Sequence, residues 1–328
     1  MSGRWLIPAA TVLIVLAAVA ASLLVGRVYL PPEALIRGLV SPEPSFAKLI
    51  VTELRLPRAL LALMVGASLG LSGAVLQGLL RNPLAEPGVL GVSSGAALGA
   101  VVAIYFGLTM HFPLATPLLG LVGALAAGAL TFSFGRGGTL TLILAGAAVS
   151  GLMGALLSLA LNFAPSPYAA YEITTWLLGS LSDRGWREVA LAAPFVVVGL
   201  SLLAFSGRTV DALALGETQA ASLGVRLDRE RLLALLGVGL SVGAATSVAG
   251  SIGFIGLVAP HLIRPFVGHQ PSRVLLPSAI LGAALLLLTD VATRLIHTAS
   301  ELKLGVLTSL VGAPFFFALV LRLRKTSP

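Results

Sequence analysis

The chain has no cysteine among its 328 residues, which excludes disulfide frameworks and thiolate metal sites. Charge is nearly as scarce, at 10% Asp, Glu, Lys and Arg, where soluble domains carry about a quarter. Motifs of catalysis are missing too. The sequence contains no HExxH, no GxxxxGK[ST] phosphate loop and no Asp/Glu/His set at metal-ligand spacing. Its four histidines, His111, His261, His269 and His297, stand in separate segments. A chain of this kind that drives solute against a gradient needs energy from a partner or from an ion gradient.

What is abundant is apolar length, with 57% hydrophobic residues. A helix rises 1.5 Å per residue, so about 20 apolar residues cross a hydrocarbon core of roughly 30 Å. Runs such as Leu6–Val25 have that length and do not alternate as barrel strands would. The fold class is all-α, a polytopic membrane protein with about ten transmembrane helices. They are expected near 5–25, 57–80, 90–107, 114–134, 140–163, 188–206, 231–250, 252–267, 274–297 and 305–322. The first run is expected to remain as a helix and not to be cleaved as a signal peptide. With both termini inside, twelve basic residues fall on the cytoplasmic side and nine outside, in the direction of the positive-inside rule. That distribution also accounts for the net charge of +8 without nucleic acid as a partner.

Two segments resemble each other. Arg58 through Val65, Gly66, Ser68 and Gly70 is echoed by Arg231 through Val238, Gly239, Ser241 and Gly243. They open the second and seventh spans, and an odd offset reverses direction, as in the inverted repeats of transporters. Coincidence in a Gly/Ala/Leu-rich chain is an equal alternative. The one acid well inside an expected span is Asp290, four residues before Arg294 on the same helical face. Ion-coupled carriers usually hold more mid-membrane charge.

The stretch Gln77 through Asn82, Pro83, Leu84, Glu86, Pro87, Gly88, Gly91 and Ser94 places two prolines and a glycine-rich turn between spans. Non-helical backbone at that depth must be buried in protein or line an aqueous path. This stretch resembles the signature of the iron-chelate and cobalamin permease family of ABC importers. So do Arg55-Leu-Pro-Arg58, Trp176-Leu-Leu-Gly179-Ser180, Leu213-Ala-Leu-Gly-Glu217 with Ala220 and Ser222-Leu-Gly224, Gly253-Phe-Ile-Gly-Leu-Val258 with Pro260-His261, and Gly312-Ala-Pro-Phe-Phe316. Lys303 and Ser251 depart from the family pattern.

The resemblance implies a type II ABC importer permease fold, a single transmembrane domain over 1–328 with a cytoplasmic coupling loop at about 208–230. It implies a homodimer in lipid at a bacterial inner membrane, two cytoplasmic ATPase subunits and a periplasmic substrate-binding protein. ATP and Mg would be held by the ATPases, and the chain itself would bind no cofactor or metal. Arg55, Arg58 and Arg294 take the binding-protein docking positions, Arg55 and Arg58 facing outward from a helix start. For Arg294 a plain pair with Asp290 is the alternative. Leu213, Leu215, Gly216, Glu217, Ala220, Leu223 and Gly224 fall in the ATPase-coupling loop, with Leu215, Ala220 and Leu223 as its apolar face. Asn82, Leu84, Thr139 and Leu140 fall at the gate. Ferric siderophore is the first choice of cargo, with cobalamin and haem behind it. An ion-coupled carrier is the rival reading. The aromatics Phe163, Tyr168, Tyr171 and Trp176 read as an interfacial belt, and His261 as a structural residue.

Overall fold

In a lipid core every backbone N–H and C=O must find a partner within the protein, and helices meet that demand segment by segment. The computed structural model describes residues 3–26, 28–41, 43–268, 270–296 and 301–326; Arg27, His269 and His297 lie outside the described residues. No strand occurs among the described residues. The spans are α1 (Gly3–Leu24), then after the short α2 (Pro32–Val40), α3 (Phe46–Leu79), α4 (Val92–Tyr105), α5 (Ala115–Phe134) and α6 (Thr139–Asn162). After α7 (Pro167–Leu177) follow α8 (Trp186–Ala204), the short α9 (Gly207–Leu213) and α10 (Glu217–Ser222), then α11 (Leu227–Ala249), α12 (Ile255–Ile263), α13 (Pro271–Leu295) and α14 (Leu304–Thr326). The upper end of the bundle carries Arg58 and Asp290, and the lower end carries α9 and α10.

Each of the ten expected spans has a helix, with two corrections of extent. The second begins at Phe46, not at residue 57, and runs through a π-helical turn at Ile50–Arg55. The eighth is much shorter than 252–267. Its helix has nine residues, about 13 Å, and ends in a 3-10 turn at Arg264–Phe266. The missing height is an open stretch from Gly250 (φ +75°) to Phe254 (φ +67°).

Backbone hydrogen bonds tie together the segments that surround that stretch. Ser180 N–H donates to Ala249 O at 2.7 Å, and Leu304 N–H to Gly179 O at 3.0 Å. The loop before α4 is held in the same way. Ser150, halfway along α6, donates to Gly88 O at 2.9 Å, and Thr131 to Leu90 O at 2.9 Å. Residues 86–90 therefore re-enter to mid-depth before α4 begins.

Spans three and eight, of 14 and nine residues, are both short and each follows a break in regular α-helix, five spans apart. The partnering repeats the symmetry. Span α3 packs on α13, and α11, its equivalent, packs on α5, the equivalent of α13. The matched glycines lie at the matched contacts: Gly66 and Gly70 face Gly282 and Ser278, while Gly239 and Gly243 face Leu125 and Ala124. The weak sequence repeat thus coincides with equivalent packing partners, as an inverted repeat requires.

The closest approach is between Gly73 of α3 and Gly256 of α12, where an added β-carbon would run into Gly256 O. Gly73→Ala is expected to cost about 1–3 kcal/mol or more through overpacking. Gly128→Ala, which would meet only Val92 at 3.8 Å, should be neutral. Thermal denaturation of the two variants in detergent checks the contrast.

Candidate functional site

At the lower end the chain leaves α8 and folds α9 and α10 flat against the span ends. Gly216 has φ +117°, which breaks the run between the two short helices. Asp211 pins α9: it accepts from Ser272 N–H at 2.8 Å and from the Gln270 side chain at 2.9 Å, at the start of α13. Thr209 donates to Glu230 at 2.8 Å. Of the expected apolar face, Leu215 and Leu223 are indeed open, 64% and 66% exposed. Ala220 is not part of it. This residue is fully buried, as is Leu213, because both side chains pack α9 and α10 onto the bundle. Gly224, φ +86°, has open space around it.

Glu217 turns inward. It pairs with Arg231 of α11 at 2.8 Å, accepts from Thr139 N–H at 3.2 Å and also takes the Thr139 hydroxyl. Arg231 Nη2 lies 3.3 Å from the same hydroxyl. A residue expected in the coupling loop and one expected at the gate are therefore in direct contact, which separate motifs did not reveal. The Thr139 hydrogen bonds hold the Glu217 carboxyl below its ordinary pKa, against the effect of burial, and Arg231 adds to the lowering.

Leu140, the neighbour of Thr139, is 71% exposed on the open face of α6. Asn82 and Leu84 are half-buried in one tight turn, in which Asn82 Oδ1 accepts from Leu84 N–H at 3.0 Å. Beside them stands Glu86, in the same loop, which the sequence motif contained without a role. A cavity of 730 Å³ lies between Leu178, the 250–254 break and α14, lined by Ser251, Gly253, Leu310, Pro314 and Phe317 among others.

At the upper end the arginines do not face outward from a helix start. Arg55 lies inside α3, 5% exposed, and donates to Leu23 O at 2.6 Å, Leu24 O at 2.9 Å and Val28 O. Carbonyls at the end of α1 lack helical partners, and this guanidinium supplies them. Arg58 chelates Asp290 at 2.8–3.2 Å and pairs with Glu301. Arg294 pairs with the fully buried Asp290 and donates to Ser22 O at 2.9 Å. The pairing of Arg294 with Asp290 weighed from the spacing is therefore present. Glu301 went unnoticed in the sequence because its partner lies 243 positions away. These groups underlie an opening of 490 Å³ lined by Arg55, Arg58, Arg184, Arg294, Glu53 and Asp183 among others.

His261 packs edge-on against Phe315, and no cluster of metal-ligating side chains occurs among the described residues. Of the four aromatics expected in a belt, Phe163, Tyr168 and Tyr171 are exposed, whereas Trp176 is half-buried with its indole nitrogen turned inward.

A family profile described as the FecCD transport family matches residues 13–322. The cobalamin import system permease protein of Halobacterium salinarum is 43% identical over 84% of this chain and 74% of its own length. The hemin transport system permease protein of Yersinia pestis is 40% identical over 83% of each chain. An ABC transporter permease protein of Bacillus subtilis is 39% identical over 90% of this chain and 88% of its own. Among solved structures, one described as an inward-facing conformation of a metal-chelate type ABC transporter superposes with a TM-score of 0.85. It is 33% identical and covers 95% of this chain and 98% of that one.

Two outcomes follow from the charged nodes. Asp290→Ala leaves two buried guanidiniums without their shared partner, and a loss of about 3–5 kcal/mol is expected, read as a lower melting temperature and yield in detergent. For Glu217 the folded pKa is depressed, so its stabilisation is complete above the unfolded value of about 4.3 and is lost as pH falls through the folded value. The melting-temperature gap between the wild type and Glu217→Gln should hold steady from about pH 8 to 5 and close below about pH 4.

Proposed function

The chain belongs to the FecCD transport family, and from that premise we propose that it forms the gated path of a metal-chelate importer driven by separate ATPase subunits. It is a multi-pass membrane permease of the ABC class. A non-catalytic role fits a chain that supplies a path and no phosphate loop.

The observation that carries the reading is the surface of α9 and α10. Leu215 and Leu223 point away from the bundle while Leu213, Ala220, Asp211 and Glu217 tie the same short helices to α6, α11 and α13. A rigidly backed pair of exposed leucines is suited to a groove on a soluble partner, the helix-in-groove mode. The partner proposed is an ATPase, which would bind ATP and Mg. Two permeases and two ATPases would make the assembly, because α6 and α14 leave much of their apolar length uncovered in one chain. A second copy set against that face would close the path around Leu140, Asn82 and Leu84. This orientation puts α9, α10 and both termini in the cytoplasm of a bacterium, with the 490 Å³ opening towards the periplasm.

A periplasmic binding protein is proposed to dock over that opening. Arg58 would meet its acids most directly, whereas Arg55 and Arg294 shape the floor from below through α1 and Asp290. For cargo, the named relatives handle cobalamin and hemin, which supports a metal-bearing macrocycle ahead of the ferric siderophore first expected.

Leu215→Asp puts a charge on the exposed face without touching the buried side of α9 and α10. The ATPase should fail to co-purify with this variant while the permease dimer survives, as read by native mass spectrometry. Retention of two ATPase copies would refute the docking surface.

A further inference from the structure

Glu217 combines two locations that the motifs kept apart. Leu215 and Leu223, which flank its helix, face outward, and its carboxylate holds the first residue of α6, beside the exposed Leu140. We propose that Glu217 is a positioning residue, an internal strut through which movement of α10 is handed to the lower ends of α6 and α11. The inference rests on the importer reading above and goes beyond it, since it gives Glu217 a role inside the permease and none on the ATPase surface.

Three features carry it. First, the contacts form a closed triangle: Glu217 with Thr139, Glu217 with Arg231, and Arg231 with Thr139. Such a figure cannot shear without breaking a charge-assisted bond. Second, the Arg231 side chain is only 6% exposed, and its other acid, Asp228, is more distant at 3.8 Å and itself 76% exposed. The cation depends on Glu217. Third, the covalent connection into α6 is slack. Gly137 and Gly138 have φ of +113° and +136°, an added β-carbon at Gly138 would meet nothing within 4 Å, and Gly138 offers no side chain to cap α6. The orphan N–H of Thr139 is taken by Glu217 instead, so α10 adds a polar hold on the start of α6 to the packing that α6 makes on α5. Span α6 is also lightly held elsewhere, with 22% of its apolar window buried against 78% for α3 and α11.

The test uses the complete complex of permease and ATPases in proteoliposomes, with a cobalt-bearing corrinoid and a ferric chelate as transport probes. Glu217→Ala should keep the ATPases bound but lower the substrate moved per ATP hydrolysed by about tenfold, within the range of linked sites. Glu217→Gln, which retains an acceptor for Thr139 and loses the charge, should fall between it and the wild type, and carries the test if the alanine variant does not assemble. A spin label on a cysteine at Leu144 is unique in each chain, because the protein has no cysteine of its own. Its distance across the dimer should change on ATP binding in the wild type and change much less in both variants.

Loss of the ATPases from Glu217→Ala would make Glu217 a partner contact and overturn the strut. An unaltered ratio of transport to hydrolysis, or an unaltered label movement, would also overturn it. Failure of the importer reading looks different: there Leu215→Asp keeps its ATPase, or no ATPase binds the wild type.

Discussion

Backbone polar groups cannot be left open in a lipid core, and this requirement organises the protein. Most of the chain satisfies it with helices. At two places, residues 80–91 and 250–254, the chain departs from the α-helix; Ser150 and Thr131 answer carbonyls of the first, and backbone bonds among 178–180, Ala249 and 304–305 brace the surroundings of the second. Each patch draws on segments distant in sequence. The open stretches are therefore places where distant segments of the bundle meet, the second of them beside the cavity along α14. A gate needs backbone that is not locked into one helix, and a membrane permits it only where other protein covers it.

The two charged nodes lie at opposite ends and work differently. Upstairs, Asp290 is shared by Arg58 and Arg294, and Arg55 serves the end of α1. That cluster is a fastening. It joins α1 to α3 and α13, the last two largely buried, and leaves an opening above itself. Downstairs, Glu217 joins a short helix flanked by exposed leucines to a span that is mostly uncovered. One node braces the frame, and the other connects a surface to a lightly packed wall.

Much of this was legible in the residues. Runs of apolar length gave ten spans, and the match between Arg58–Gly70 and Arg231–Gly243 pointed to the inverted repeat, since small residues at equal spacing mark equal contacts. Composition could not give the length of α12. The break from Gly250 to Phe254 lies beside segments 178–180 and 304–305, which are distant in sequence and bond to each other and to Ala249 around it. Side-chain direction was also beyond reach. Spacing placed Arg55 and Arg58 on one face and Leu215, Ala220 and Leu223 on another, but whether a face meets protein or water depends on what packs against it. The unsatisfied carbonyls of α1 turned Arg55 inward, and the floor of the bundle claimed Ala220. Contacts such as Arg58 with Glu301, or Glu217 with Thr139, join motifs that sequence presents as separate.

Where Gly66, Gly70 and Gly73 bring main chain against main chain, no rotamers lie between the helices to absorb strain. An interface of interlocked side chains yields a little in every direction, as each chain re-settles. A seam of backbone on backbone has no such play, so its stiffness approaches that of the helices themselves. Span α3 with α12 and α13 should then behave as one hard body on the timescale of transport, and deformation must concentrate in the glycine linkers before α6 and α10. In mechanical terms the protein is a stiff casting with two soft joints, and its compliance is decided by a handful of residues that have no side chain at all.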